Sequence, residues 1–383
     1  MKPLRLTLLL APLLLGACST IEKYNPFSSV DARTRPAELV AIDPVTAKLV
    51  PLWRASVGSA RDYVLSPAVV GTSVYAAAQD GTLARFDQGK ERWRISLKQT
   101  LSGGVGADGK LVAVGTPKGE VLTFDADTGA AKWQARVSSE VLAAPVVTEG
   151  AVVVRSGDSH ITALEAADGK RRWVYQRATP SLSLRSGVGV LAVPGGVLAG
   201  FPGGKVAAIA LNNGAVAWET VVTTPKGSTE LERMADITSL PQINDREACA
   251  AAFQGRVACF DTAGGNTVWS RDISSLNGLD MDGRAVYVSD EKGAVQAYDR
   301  NSGSSLWRQA KLTNRQPSRP LVVGGYVAVG DVQGWVHLLR RDDGAFANRI
   351  ATDGSAIAAA PMALGSGLLV QTRDGGLFAF GVE

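Results

Sequence analysis

The stretch that decides the fold is residues 118–133, which read KGEVLTFDADTGAAKW. Residues 121–124 form a short apolar run that predicts a β-strand, and Trp133 lies in a second predicted strand. Between the strands, Asp125 can cap its own backbone and Gly129 can adopt a positive φ at little steric cost, which is the chemistry of a tight turn. A large aromatic side chain stabilises most when it is buried, so we expect Trp133 to pack against a neighbouring copy of the same unit.

This strand–turn–strand unit recurs along the chain and predicts the architecture. The copy around Phe86 is two residues shorter, and the copy around Leu339 has Asn348 where the others have Trp. The spacing ranges from 38 residues (Trp269 to Trp307) to 51 (Trp218 to Trp269). Repeats of about 40–45 residues with four short strands each are typical of β-propellers. The tryptophans at the repeat position are Trp53, Trp93, Trp133, Trp173, Trp218, Trp269 and Trp307.

The two ends of the repeat predict how the ring closes. The last copy, which contains Phe380, ends before its Trp, whereas Trp53 stands near the start without the first part of a copy. Pairing the two would remove the exposed sheet edges that an open array leaves. The sequence therefore predicts an all-β fold over residues 37–383. We expect an eight-bladed β-propeller of four-stranded antiparallel blades, closed by pairing of the N- and C-terminal strands.

The residues before the repeat predict export and anchoring. Residues 1–18 have a basic start and a short apolar core, which is typical of a secretory signal and too short for a membrane span. The residues that end at Cys18 (Leu-Gly-Ala-Cys) resemble the bacterial lipobox, which implies cleavage before Cys18 and lipid attachment to it. Ser19 after the cysteine favours the outer membrane by analogy. The alternative is an ordinary signal with an incidental cysteine. Residues 19–36 are predicted to form a flexible tether.

Composition argues against two classes of function. Without Lys2 and Arg5 of the signal, the formal charge is (40 − 2) − 36 = +2, and no run of Lys and Arg exceeds two residues. A nucleic-acid-binding surface would be more basic and more clustered, so no nucleic-acid partner is expected. The two histidines, His160 and His337, are far apart in the repeat, and no metal-binding or nucleophile motif is present in the sequence. We therefore predict no catalytic residues and no metal site.

The cysteines other than Cys18 leave two alternatives open. Cys249 and Cys259 lie on the two arms of a predicted hairpin around Gln254. A shift of one residue in register would place them on opposite faces of the sheet. A disulfide and a pair of buried thiols are therefore both compatible with the sequence.

The repeat resembles that of the quinoprotein (PQQ-binding) propellers, whose signature is an Ala-x-Asp-x-x-Thr-Gly-x-x-x-Trp-like run. The resemblance implies a site like that of the group's dehydrogenases, in which a quinone is bound with calcium and capped by a ring of two adjacent cysteines. This chain has no adjacent cysteines and no recognisable calcium-binding constellation. We therefore expect no cofactor and a binding scaffold rather than an enzyme. A quinone-dependent dehydrogenase is the alternative.

The lipobox, the eight-bladed repeat and two insertions together resemble the BamB family, lipoproteins of the outer-membrane β-barrel assembly machinery. The insertions contain residues 180–185 and 226–238, where the Trp spacing lengthens. The resemblance implies binding to the periplasmic POTRA domains of the barrel-forming subunit and assistance in the insertion of β-barrel proteins. It also implies an outer-membrane lipoprotein that faces the periplasm. The family's motifs map partner-binding roles onto Leu182, Leu184, Arg185 and Asp236, with Thr238 where the family has a second Asp.

Two alternatives concern the insertions and their partner. Insertions into a rigid repeat are more often functional than needed for packing, and leucines in a polar loop would be unusual if they were only solvated. Leu182 and Leu184 could instead pack back onto the ring, which would leave Arg185 and Asp236 as an ordinary surface pair. The ring could also bind unfolded outer-membrane proteins directly through its strand edges.

Overall fold

A computed structural model describes residues 34–383, which form eight four-stranded antiparallel sheets arranged as the blades of a propeller. The first strands of neighbouring blades contact one another, so they surround the central axis, and the fourth strands form the periphery. This arrangement confirms the predicted eight-bladed β-propeller. Cys18, the signal at residues 1–18 and most of the tether at 19–36 lie outside the described residues, and the domain boundaries stay predictions. Residues 34–383 contain no helix that is long and apolar enough to cross a bilayer.

The blades are numbered in chain order, and each of the first four contains four consecutive strands. Blade one has β2 (Ala68–Val70), β3 (Ser73–Ala77), β4 (Thr82–Asp87) and β5 (Lys90–Ser96). Blade two has β6 (Gly106–Ala107), β7 (Leu111–Gly115), β8 (Glu120–Asp125) and β9 (Ala131–Arg136). Blade three has β10 (Val146–Thr148), β11 (Ala151–Arg155), β12 (Ile161–Glu165) and β13 (Arg171–Tyr175). Blade four has β14 (Val190–Val193), β15 (Gly196–Phe201), β16 (Lys205–Ala210) and β17 (Val216–Val221).

The remaining four blades follow the same plan, except that the last takes its outer strand from the N-terminus. Blade five has β18 (Gln242–Ile243), β19 (Glu247–Ala251), β20 (Arg256–Asp261) and β21 (Thr267–Asp272). Blade six has β22 (Gly278–Met281), β23 (Ala285–Ser289), β24 (Val295–Asp299) and β25 (Ser305–Gln309). Blade seven has β26 (Leu321–Val323), β27 (Tyr326–Gly330), β28 (Trp335–Arg340) and β29 (Phe346–Ala351). Blade eight has β30 (Met362–Leu364), β31 (Gly367–Gln371), β32 (Gly376–Val382) and β1 (Leu49–Ser56).

The ring closes through the strand pair β1–β32, as predicted. The two strands are antiparallel, with Trp53 opposite Ala379 and Leu49 opposite Val382. Because blade eight combines strands from both ends of the chain, no blade at either end of the repeat lacks its fourth strand. Closure therefore joins the units into one cooperative body.

The repeat tryptophans join each blade to the next. Within the described chain, six of them donate an indole N–H to a backbone carbonyl of the following blade, at 2.5 to 3.1 Å. The turn glycine of that following blade lies against the ring. At Gly129, for example, φ is +71° and an added Cβ would meet atoms of Trp93 at 3.0 Å. The motif therefore repeats because the Trp of one blade and the Gly of the next form a single junction.

The junction at Asn348 keeps the hydrogen bond without the indole. Asn348 Nδ2 donates to the carbonyl of Ala47 at 2.8 Å. Ala47 belongs to the segment that leads into β1, so this carbonyl takes the place of the acceptor that a following blade supplies elsewhere. The seventh copy has therefore lost apolar area but not its polar contact.

The cysteines form a disulfide. Cys249 on β19 and Cys259 on β20 are direct partners in the antiparallel register, and a disulfide joins them. Both residues are fully buried. The register that the sequence left open thus places the two side chains on the same face.

Residues 35–48 lie along blade seven before they enter β1. Ala37 N donates to Thr313 O at 2.9 Å, and Thr46 N donates to Ala347 O at 3.0 Å. The Arg315 guanidinium donates to the Ala37 carbonyl at 2.7 Å. This N-terminal segment is therefore fixed to the ring well before its first strand.

A buried charge network holds the same segment from beneath. Asp331 accepts from Arg315 Nε at 2.7 Å and from His337 Nε2 at 2.8 Å, and these three side chains are almost fully buried. Arg349 Nε donates to His337 Nδ1 at 3.1 Å, and Arg349 also donates to the Val40 carbonyl. Because arginine only donates, Nδ1 of His337 must accept, so the imidazole is neutral with its proton on Nε2.

Candidate partner-binding surface

The two insertions are the loops before the first strands of blades four and five. The first connects β13 to β14 over residues 176–189, and the second connects β17 to β18 over residues 222–241. They lie side by side on one face of the ring, as the repeat positions predict. Leu184 N donates to Asp236 Oδ2 at 2.6 Å, and Ser181 Oγ donates to Glu230 Oε2 at 3.1 Å. The structure therefore brings Leu182, Leu184, Arg185 and Asp236 into one region.

Asp236 is a buried support and not part of the exposed surface. Asp236 is only 2% exposed, and its second carboxylate oxygen, Oδ1, accepts a hydrogen bond from Gly203 N at 3.0 Å. The sequence predicts a partner-binding role for Asp236, with an ordinary surface pair with Arg185 as the alternative, and the burial of Asp236 does not fit that surface pair. The carboxylate satisfies two backbone N–H groups that the loops would otherwise leave unpaired, which explains its burial.

A buried cation lies near Asp236. Arg155, at the end of β11, donates to the Gly200 carbonyl at 2.6 Å and lies over the ring of Phe201. Burial lowers the pKa of Arg155 to about 10, and the Asp236 carboxylate acts in the opposite direction. A buried charge is tolerated when a charge of the opposite sign and hydrogen bonds compensate it. Arg155 and Asp236 thus stabilise each other beneath the first insertion.

Arg185 is oriented by a residue of the preceding loop. Its Nε and Nη2 donate to the two carboxylate oxygens of Glu140 at 2.8 and 2.7 Å. These hydrogen bonds lower the pKa of Glu140 below its ordinary value. The Arg185 side chain is still 61% exposed, so the guanidinium is held in place and reachable at the same time. Arg185 and Asp236 therefore do not pair with each other.

The leucines differ in exposure. Leu182 is 41% exposed at the tip of the first insertion, whereas Leu184 is half-buried and lines a small cleft with Leu142 and Arg155. Leu184 thus fits in part the alternative that the leucines pack onto the ring, and Leu182 does not. In the second insertion, Leu231 is 62% exposed. An isolated exposed leucine is ordinary, but Leu182 and Leu231 directly follow Ser181 and Glu230, whose side chains hydrogen-bond across the two insertions.

Thr238 has a role that an aspartate could not fill. Its hydroxyl donates to the Leu276 carbonyl of the next loop at 2.9 Å. A carboxylate has no proton to donate to that carbonyl. The substitution relative to the family motif therefore replaces an anion by a contact between neighbouring loops.

Three residues of this surface were not predicted from the sequence. Glu140 lies in a loop without an insertion, so nothing marked it. Arg155 could have been found, because the equivalent strand positions in neighbouring blades are Gly115 and Gly200, and a charge there breaks the repeat. Leu231 could have been found by the argument that selected Leu182, since it is also a leucine in a polar insertion.

The described residues do not offer the donors of a quinone–calcium site. Cys249 and Cys259 are joined across two strands and are not adjacent in sequence, so they cannot form the ring of two neighbouring cysteines that the quinoprotein resemblance implies. Within residues 34–383, no group of three or more His, Cys, Asp or Glu side chains is placed to hold a metal ion. The described residues therefore do not fit that cofactor.

Comparisons with known proteins give the same family across the chain. A family model described as outer membrane protein assembly factor BamB matches residues 79–309 and 291–383. A relative from Bordetella pertussis named outer membrane protein assembly factor BamB is 45% identical over 354 residues, which cover 92% of this chain and 91% of the relative. One of the same name from Nitrosomonas eutropha is 44% identical over 393 residues, covering 100% of this chain and 96% of the relative.

A solved structure agrees with the sequence relatives. The crystal structure of BamB from Moraxella catarrhalis is similar with a TM-score of 0.82 and 29% identity. The match covers 87% of this chain and 100% of that chain. The similarity therefore extends over the whole ring of the solved protein.

Proposed function

We propose a scaffolding role in outer membrane protein assembly for this chain, which belongs to the family of outer membrane protein assembly factor BamB. The proposed partner is the barrel-forming subunit of the assembly machinery, bound through its periplasmic POTRA domains. The chain itself is proposed to have no catalytic activity and to assist β-barrel insertion by holding this partner. Lipidation of Cys18 would place the ring at the periplasmic side of the outer membrane.

The single observation that supports this site is the pairing of the two insertions through Asp236. The hydrogen bond from Leu184 N connects the first insertion to the second, and the hydrogen bond from Gly203 N connects the second insertion to the β15–β16 turn of blade four. A loop held in one conformation loses less entropy on binding than a free one. The site is thus preorganised, as a recurrent protein–protein interface would need.

Each residue has a proposed role that follows from its exposure. Leu182 is the apolar anchor, because it is the exposed leucine of the first insertion. Arg185 is the charged contact, because Glu140 fixes its direction while most of its side chain stays exposed. Asp236 and Leu184 hold the loop in place. Apolar anchors supply desolvated area and charges fix the register, which is the usual division in a small binding hot spot.

The test is capture of the POTRA-bearing subunit by the full chain and its variants. We expect Leu182→Ala and Arg185→Ala to weaken capture at least about tenfold, since each would remove a hot-spot contact. Both should keep the parent melting temperature, because exposed loop changes usually alter stability by less than about 0.5 kcal/mol. Leu306→Ala is the matched control, because Leu306 is 38% exposed on β25, away from both insertions.

Three results would contradict the proposal. Unchanged capture in both loop variants would place the partner elsewhere on the ring. Equal weakening by Leu306→Ala would point to general stickiness of exposed leucines. Binding of unfolded outer-membrane proteins to the isolated chain, with the same loss in Leu182→Ala, would favour direct chaperoning over scaffolding.

A further inference from the structure

The centre of the ring contains a cavity of about 330 Å³ at the first strands of the blades. Its walls are built from glycine, alanine, valine, proline, leucine and methionine, with two polar exceptions, Ser66 and Arg319. Small-molecule sites are typically concave and mostly apolar, with a few polar groups that fix the orientation of the ligand. The cavity has this composition.

Arg319 breaks the repeat at the position that faces the cavity. In five blades, an X-Pro pair comes directly before the first strand. In each of these blades, the residue before the proline lines the cavity. These five residues are Ser66, Ala144, Leu240, Arg319 and Ala360. Four of them are small or apolar, as packing around a narrow axis requires. A long cation in the fifth is not explained by packing.

The guanidinium of Arg319 is left available to a ligand. Within residues 34–383, no carboxylate lies within ion-pair distance of it, and no acceptor in the described chain takes a hydrogen bond from its side chain. The nearest influence of opposite charge is Asp280 on β22. Its two oxygens already accept from Val322 N at 2.7 Å and from Met281 N at 3.0 Å. Asp280 therefore accepts hydrogen bonds from the backbone, and its charge acts on Arg319 without forming an ion pair with it.

The half-buried guanidinium of Arg319 borders the cavity, so an anion bound there would supply the partner that the described chain does not. Burial lowers the pKa of Arg319, and Asp280 acts in the opposite direction. A guanidinium nevertheless stays charged at neutral pH and presents a planar set of donors that matches a carboxylate. An apolar wall beside such a donor set favours a ligand with an apolar body and one acidic group.

We propose that the central cavity binds a small organic carboxylate with a compact apolar body, whose carboxylate pairs with Arg319. The apolar body contacts the alanine and valine walls contributed by blades one to three. The cavity also includes Gly189 and Leu240, which lie at the C-terminal ends of the two insertions, so an occupied cavity adjoins the base of the partner-binding surface. The inference does not depend on the proposed function, because neither Leu182 nor Asp236 lines the cavity.

The experiment uses 3-(4-fluorophenyl)propionate as the probe, followed by fluorine NMR line broadening. The full chain is held in lipid nanodiscs, and empty nanodiscs give the background from partition into lipid. We expect the parent protein to broaden the carboxylate probe and not the corresponding neutral amide. Arg319→Gln should weaken binding at least about tenfold, because a charge-assisted pair is lost. Asp280→Asn should strengthen it, since the neighbouring negative charge is removed while an acceptor for Val322 N is kept.

The outcomes distinguish a specific carboxylate site from a cavity that accepts any apolar molecule. Equal broadening of the amide would mean that the cavity is only an apolar space, and undiminished binding in Arg319→Gln would remove the role of the guanidinium. Either result overturns the proposal. Arg319→Lys keeps the positive charge and covers the case in which Arg319→Gln does not fold. Weaker binding in Asp280→Asn than in the parent would also contradict the proposal.

Discussion

The turn glycine Gly169 of blade three lies against the indole of Trp133 in blade two, so closely that an added Cβ would come within 2.5 Å of the ring. The same indole donates its N–H to the Ala166 carbonyl of blade three at 2.8 Å. One aromatic side chain therefore gives both the apolar and the polar contact across the boundary between blades.

This contact predicts a large loss of stability for Gly169→Ala. The methyl group would overlap the Trp133 ring, and overpacking of this kind costs roughly 1–3 kcal/mol. The left-handed φ of +74° adds about 1 kcal/mol of backbone strain. Urea unfolding of the two proteins measures the difference.

Gly150→Ala is the matched control for this variant. Gly150 has nearly the same φ, +75°, but nothing lies within 4 Å of its added Cβ. We expect it to show the strain alone. Equal losses in the two variants would mean that the Trp–Gly contact adds nothing.

Asn348 is predicted to matter through its hydrogen bond and not through its size. Asn348→Asp keeps the shape but turns a carboxylate toward the Ala47 carbonyl, which removes the bond and adds repulsion. We expect a loss of about 1–3 kcal/mol, and a smaller loss for Asn348→Ala, which only leaves the carbonyl unpaired. Hydrogen exchange of residues 37–48 should report the loosened segment. A larger loss in Asn348→Ala would show that side-chain packing dominates instead.

His337 predicts a loss of stability on acidification. Burial, aided by Arg349 and Arg315, holds the pKa of His337 below its ordinary value, although Asp331 acts to raise it. As pH falls below about 6.5, His337 binds a proton in the unfolded chain but not yet in the folded chain, so the free energy of unfolding decreases. The decrease continues until the pH reaches the lower pKa of the folded state.

His337→Gln tests this assignment and should flatten the change of stability between pH 7.5 and pH 5. The experiment is urea unfolding at both pH values. An unchanged acid response in His337→Gln would assign it to carboxylates. Burial also acts to raise the pKa of Asp331, but the hydrogen bond from His337 contributes to a net lowering, so Asp331 adds its own loss only below its ordinary pKa.

Asp236→Ala is predicted to weaken both the fold and partner capture, unlike Arg185→Ala. Removal of the carboxylate leaves the backbone N–H groups of Leu184 and Gly203 without their acceptor and leaves Arg155 without its nearby anion. Hydrogen bonds to a charged group contribute about 1.5–3 kcal/mol each, so a loss of about 3 kcal/mol is expected. Thermal melting and capture of the POTRA-bearing subunit are measured on the same samples. A parent-like melting temperature in Asp236→Ala would contradict the supporting role.

The sequence by itself determined the repeat, the number of blades and the manner of closure. These features depend on local chemistry: an apolar run, a turn with a glycine at positive φ, and a Trp at a fixed distance recur in each copy. The incomplete copies around Trp53 and Phe380 also predicted the β1–β32 pair. The two insertions were recognised for the same reason, since they lengthen an otherwise regular spacing.

Only the tertiary structure decided which side chains are buried and which contact one another. The Cys249–Cys259 disulfide depends on strand register, because a shift of one residue reverses the face of every side chain. The burial of Asp236 and the pairing of Arg185 with Glu140 depend on residues 45 or more positions away, or in another blade. Hydrogen bonds and charges act over distances of a few ångströms in space, and a repeat read along the chain gives the order of the blades but not which side chains meet between them.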